Sequence, residues 1–206
     1  MAEFLPLGLG VSNRDVWIEG REPPAGEDTP AIDTMAIGPG YFGTLGIPLE
    51  RGRDFTDRDD AEAPGAVIVN RTMAELAWPG EEAVGQRFHF DYPTEPQVEV
   101  IGVVADAKYR HVREDRQFFV YVAAEQSLPA SATLHVRAEG DPRALLEEVR
   151  RAVHALDPEL PLADVETMDW FVRQDLWKER TAAVLLAIFG ALALALATLG
   201  IYGVLA

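Results

Sequence analysis

The chain has 206 residues, of which 34 are acidic and 18 basic, for a formal charge of −16. That balance argues against a nucleic-acid surface, because binding to phosphates is dominated by Lys and Arg. Cysteine is absent, which excludes disulfides, thiolate nucleophiles and thiolate metal sites while fitting the cytoplasm and a bacterial extracytoplasmic space alike.

The opening MAEFLPLGLGV has an acid at position 3, no basic region and an apolar run broken by Pro6, Gly8 and Gly10, so it does not read as a secretory signal. Residues 16–19 (VWIE) have strand character, 21–30 form a Pro- and acid-rich loop, and 32–38 read as a second strand. Pro39 can open a short helix through Leu45, Gly46 can end it, and Pro48 starts a short strand to Arg51. A charged loop follows over 54–64, then the apolar run AVIVN at 66–70. Asn70 is placed to cap a helix over 71–77, which Trp78-Pro79-Gly80 terminates. Strands are predicted at 85–90, at 98–105 as a central strand, at 118–123, and at 133–138, where TLHVRA alternates with period 2.

Asp141 and Pro142 suit the cap and first turn of a helix in which Leu145, Val149, Ala152, Val153 and Leu156 recur at helical spacing. With a last strand at 162–166, residues 133–166 read as a βαβ-like unit in an α+β layer. Thr167 begins an amphipathic helix carrying Trp170, Phe171, Leu176 and Trp177, which leads into the stretch 181–206. That stretch has no charged residue in 26 positions. As a helix it reaches roughly 39 Å, enough to cross a hydrocarbon core of about 30 Å, and tryptophan suits its interfacial end. Ala183, Ala187, Ala191 and Ala195 fall at four-residue spacing with Gly190 beside them, a small face of the kind that lets membrane helices pack closely. Both ends of the chain read as cut, since the apolar stretch stops at Ala206 without a charged flank.

Motifs for chemistry are weak. Gly38, Gly40 and Gly43 spell G-x-G-x-x-G, but the helix that follows ends within two turns, too short for the long helix a pyrophosphate site requires. Asp57, Asp59, Asp60 and Glu62 resemble the start of a calcium loop, yet Ala61, Glu62 and Ile68 occupy positions that need a ligand, Gly and Glu, so a solvated acidic loop is the reading adopted. His89, His111, His135 and His154 form no metal-binding pair, and no nucleophile turn is present. No catalytic, cofactor-binding or metal-binding residue is therefore assigned.

The runs GPGYFGTLGIPLERGRDFTDRDD, VIVNRTMAELAWPGEEAVGQRF, VEVIGVVADAKY and LHVRAEGDPRALLEEVRRAVHALDPELPLADVETM, with the closing LGIYGVLA, together resemble the MacB-like and FtsX-like ABC transporter permeases, most of all the duplicated orphan type that carries no ATPase of its own. The resemblance implies a MacB-type periplasmic core domain over 1–177, with a porter-like βαβ lobe and an inserted Sabre-like lobe at roughly 52–122. A transmembrane helix over 178–206 would then start the permease domain. It further implies a non-enzymatic subunit in the bacterial inner membrane, with 1–177 periplasmic. The partners it implies are a separate ABC ATPase, other permease helices or a second permease copy, membrane lipid and, in some relatives, a periplasmic adaptor protein.

Under that resemblance Trp170, Phe171 and Trp177 belong to a lever joining domain to membrane, and the alanine face to helix packing. Lys178 and Arg180 would by the positive-inside rule hold their side in the cytoplasm; the acidic domain and Glu179 favour the outside, as the resemblance does. The rival reading is an extracytoplasmic enzyme or ligand-binding module anchored by its tail.

Overall fold

The computed structural model describes residues 1–3, 12–18, 31–109, 117–127, 129, 131–163 and 165–205, with backbone only at 31, 174–183, 195 and 198–205. The chain divides into two compact units, Met1–Gly140 and Asp141–Ala206.

The first unit is built on strands β1 (Ser12–Trp17), β2 (Ala31–Ile37), β3 (Leu49–Gly52), β4 (Ala66–Asn70), β5 (Arg87–Phe90), β6 (Gln97–Val104) and β7 (Phe119–Ala123), with short helices α1 (Tyr41–Leu45), α2 (Arg71–Ala77) and α3 (Ala124–Ser127). Their order is β3-β6-β4-β7-β2-β1-β5, and β5 pairs back onto β6. Six strands therefore close into a ring, in which β4 with β6 and β2 with β7 are parallel and the other neighbours antiparallel. The long strand β6 serves two partners along one edge: β5 takes 97–99 and β3 takes 102–104.

Closing the sheet buries its inner face and α1 covers the outer face at β4, which is why β4 has no polar side chain before Asn70. One core cluster draws a residue from each of the six ring strands, namely Val16, Ile32, Val67 and Val69, Phe88 and Phe90, Val100 and Val103, and Val120, with Met73 and Ala77 of α2 and with Trp78. Contribution from every strand identifies it as the enclosed core. The other cluster, on the outer face, holds Met35, Ile37, Ile68, Phe119 and Tyr121 beneath Tyr41 and Phe42 of α1. Side chains alternate between the two with period 2, except that β6 reaches the enclosed core at 100 and then at 103. The register shift between Val67 and Ile68 explains the exception, because their successive partners are Val100 and Gly102 and leave Ile101 as a bulge residue.

Beside that bulge two backbones nearly touch. Gly52 has φ +74, and a Cβ there would lie 2.2 Å from the Ile101 carbonyl oxygen; on its register partner Gly102 a Cβ would lie 2.6 Å from the Arg53 carbonyl oxygen. Only glycine fits either position.

Two predicted strands do not form ladders among the described residues. In 133–138 only Thr133 is paired, in a single bridge to Ala2, and 162–166 forms no strand. Among the described residues the βαβ-like unit expected over 133–166 is therefore seen only as its helix. Leu134 and Val136 are exposed while Thr133 and His135 are half-buried, so the period-2 pattern persists with its apolar side facing out, and alternation by itself cannot supply a neighbouring strand.

In the second unit Asp141 accepts the Arg143 N–H at 3.0 Å and caps a 3-10 turn over Pro142–Leu145, which passes into α4 (Leu146–Leu156). The amphipathic and apolar stretches form one unbroken helix, α5 (Met168–Leu205). The Thr167 carbonyl accepts the Trp170 N–H at 3.0 Å at its start.

Candidate functional site

Three constellations in the first unit gather many of its buried polar and aromatic groups. The first begins where the apolar strand β4 ends. Asn70 is fully buried with an extended backbone, so its Oδ1 meets the first turn of α2 and accepts the Met73 N–H at 3.0 Å, as predicted for the cap. The same oxygen accepts the Phe119 N–H at 3.1 Å, while Nδ2 donates to Asp106 Oδ1 and to the Gln117 carbonyl, both at 2.8 Å. Asp106 in turn accepts the Thr72 N–H and hydroxyl at 2.9 and 2.8 Å. Both donors and both lone pairs of the Asn70 amide are thus committed. The arrangement locks the exit of β4, the exit of β6 and the entry to β7 to one point, and it is suited to rigidity, not to proton transfer.

The second is aromatic. Tyr109 stacks on Phe119 at 3.8 Å between ring centroids, Phe42 meets Tyr121 edge-on at 4.8 Å, and Tyr41 lies between Tyr121 at 6.1 Å and His135 at 5.6 Å. Burial raises the Tyr109 phenol to about 12. Burial first and then Tyr109 hold Tyr41 and Tyr121 well above the ordinary phenol value. All three stay protonated at neutral pH and cannot act as bases.

The third lies in the acidic loop. Arg53 forms a two-pronged ion pair with Asp59, each bond 2.8 Å, and Asp59 also accepts the Thr56 N–H and hydroxyl. Asp59 is only 6% exposed. The guanidinium is the main cause, with the Thr56 bonds adding to it, of a carboxyl held down at about 2 against the opposing effect of burial. The expectation of a merely solvated loop is corrected here, since Asp59 is a buried clip. The signal missed was Arg53 six residues before it and Thr56 three before, because loop composition alone hides a pair of that kind. Asp60 bonds its own turn through the Glu62 and Ala63 N–H groups. The calcium-like acids therefore point to different partners, and no cluster of metal-ligating side chains occurs among the described residues. Gly40, at φ +76, and Gly46, at φ +73, bracket the five-residue α1, so the glycine-rich run serves a tight turn.

The residues assigned to lever and packing all fall on α5. Trp170 and Phe171 meet edge-on at 4.9 Å, with Trp170 44% exposed. Ala187, Gly190 and Ala191 are exposed, and nothing lies within 4 Å of where a Gly190 Cβ would be. Trp177, Ala183 and Ala195 have side chains outside the described residues. Large apolar side chains are open all round this part of the helix, from Leu185 and Leu186 through Ile188, Phe189 and Leu192 to Leu196. Among the described residues no helix is long and apolar enough to cross a membrane; the apolar side chains described are those of 184–194, 196 and 197.

Comparison with known proteins identifies the class to which this architecture belongs. Residues 11–156 match the MacB-like periplasmic core domain, and the chain belongs to that family, one of transporter permease domains. The fold is similar to the periplasmic region of MacB from Actinobacillus actinomycetemcomitans, with a TM-score of 0.51 at 16% identity, covering 73% of this chain and 65% of that one. Less similar are the extracellular domain of the noncanonic ABC-type transporter YknZ from Gram-positive bacteria and a domain of a putative permease protein from Porphyromonas gingivalis. The first has a TM-score of 0.46 at 21% identity, covering 72% and 73% of the two chains; the second 0.41 at 13%, covering 79% and 81%. No curated protein matches the sequence.

Proposed function

We propose that this chain is part of a permease subunit of an ABC-type transporter or mechanotransmission complex of the bacterial inner membrane. Residues 1–177 would form its periplasmic domain, with 52–122 as the inserted lobe, and 178–206 the membrane helix that follows. Family membership over 11–156 carries this reading. Two features of α5 support it: the uncharged stretch 181–206, and apolar side chains exposed at about half or more of their area around the helix, which water does not favour and lipid or partner helices do. ATP hydrolysis by a separate cytoplasmic subunit would be transmitted along α5, whose unbroken run from Met168 suits a rigid lever, with Trp170, Phe171 and Trp177 at its domain end. Ala183, Ala187, Ala191, Ala195 and Gly190 would form the face against a neighbouring helix.

The test is purification of the full-length protein from native membranes in mild detergent, followed by identification of associated proteins. An ABC ATPase present in stoichiometric amount is expected. A monodisperse protein that carries no ATPase and hydrolyses or binds a small molecule by itself would replace this reading with that of an anchored enzyme or binding module.

A further inference from the structure

The segment 133–137 is the last part of the first unit before the chain enters the second, and it is held at three points. Thr133 exchanges two backbone hydrogen bonds with Ala2, at 2.6 and 2.9 Å. Arg137 Nη1 donates to the Gly43 carbonyl of α1 at 3.0 Å. Between them His135 lays its ring against Tyr41, the planes 77° apart. The outer points are hydrogen bonds that do not change near neutral pH. The middle one is a titratable ring whose Nε2 is buried and makes no hydrogen bond among the described residues.

We propose that His135 is an acid-sensitive latch. Neutral, it seats 133–137 on α1 and on the N-terminal residues; protonated, it lets that segment come away.

The surroundings offer little to an imidazolium. Tyr41, on α1, is a protonated phenol; Arg137 and the Met1 ammonium are cationic; the nearby Glu3 carboxylate accepts the Ala36 N–H on β2 instead. Among the described residues a charge arriving on His135 would therefore put its buried Nε2 beside no anionic partner, which costs more than an aromatic ring returns. Burial first, with the Met1 ammonium adding to it, lowers the imidazole from its ordinary value. In a longer chain the ammonium gives way to a peptide bond, while the burial and Arg137 remain. The sign follows from linkage. The seated form binds the proton less well than the released form, so the seat is fully held above about pH 6.5. It weakens about tenfold per pH unit below that until the seated imidazole itself titrates. The biological value of the latch rests on the permease reading above, since an extracytoplasmic domain meets the pH of its surroundings.

The experiment is hydrogen exchange of the Ala2 and Thr133 amides in the full chain in detergent, from pH 7.5 to 5.0, corrected for the intrinsic exchange rate. Protection is expected to fall as the pH drops below 6.5 in the parent, by no more than about tenfold per unit, and to stay level in His135→Phe, which keeps the ring and loses the proton site. His135→Gln serves the same purpose should the phenylalanine variant not fold. Level protection in the parent, or an equal fall in the variants, overturns the latch. So does an NMR titration of His135 that places its pKa at or above 6.5. Neither readout involves an ATPase, so failure here leaves the permease reading standing.

Discussion

Asn70 fixes three chain directions with one amide, and its removal would leave the Met73 and Phe119 N–H groups, the Gln117 carbonyl and one bond to Asp106 without their partner. A buried group left unsatisfied costs about 1–3 kcal/mol, so Asn70→Ala is expected to lower stability by about 3 kcal/mol or more in urea unfolding of the full chain. Glu125→Gln on the surface should change it by less than about 0.5 kcal/mol. Similar losses for both would show that the network is slack.

Asp59 makes a prediction in pH. Its carboxyl is lowered in the folded state, so its contribution is fully present above the ordinary value of 3.8 and is lost as pH falls through about 2. Arg53 is about half exposed, so solvent reduces the effect to about 1–2 kcal/mol. The stability gap between the parent and Asp59→Asn should therefore narrow from pH 5 to pH 2. A constant gap would assign the effect of the variant to packing.

Among the elements, β3 and β6 carry the sharpest constraint. Gly52→Ala puts a Cβ into the Ile101 carbonyl and is expected to cost about 3 kcal/mol or more, whereas Gly80→Ala, at φ +79 but in open space, should cost only about 1 kcal/mol of backbone strain. Equal costs would mean that the close approach relaxes freely. Nothing local in RGRDF or EVIGVV announces that two glycines 50 positions apart touch, which is why this feature was not legible in the sequence. What could be read was local. The run AVIVN, whose last residue Asn70 caps the next helix, marks β4 and α2 to the residue, and Gly46 with Pro48 marks the end of α1. The strand expected at 133–138 does not form for the converse reason, since TLHVRA carries a period-2 pattern while its pairing partner lies at Ala2, more than 130 positions away. The buried Asp59 was missed because a carboxylate paired with Arg53 looks, in composition, like one that faces water.

The whole chain joins a closed mixed sheet of the MacB-like periplasmic core family to a helix with an uncharged end, and the proposed role requires the sheet domain to stand outside the cytoplasm. These 206 residues contain no cysteine, so a single thiol introduced here, with any cysteine elsewhere in the full-length protein replaced, reports the location of the domain. Tyr92, 66% exposed in the turn between β5 and β6, is a suitable place. In cells producing the full-length protein with Tyr92→Cys, and with a permeabilised outer membrane, a membrane-impermeant maleimide should label the protein before lysis as completely as after it. Labelling that appears only after lysis would put the domain in the cytoplasm and contradict its role as the extracytoplasmic part of a permease.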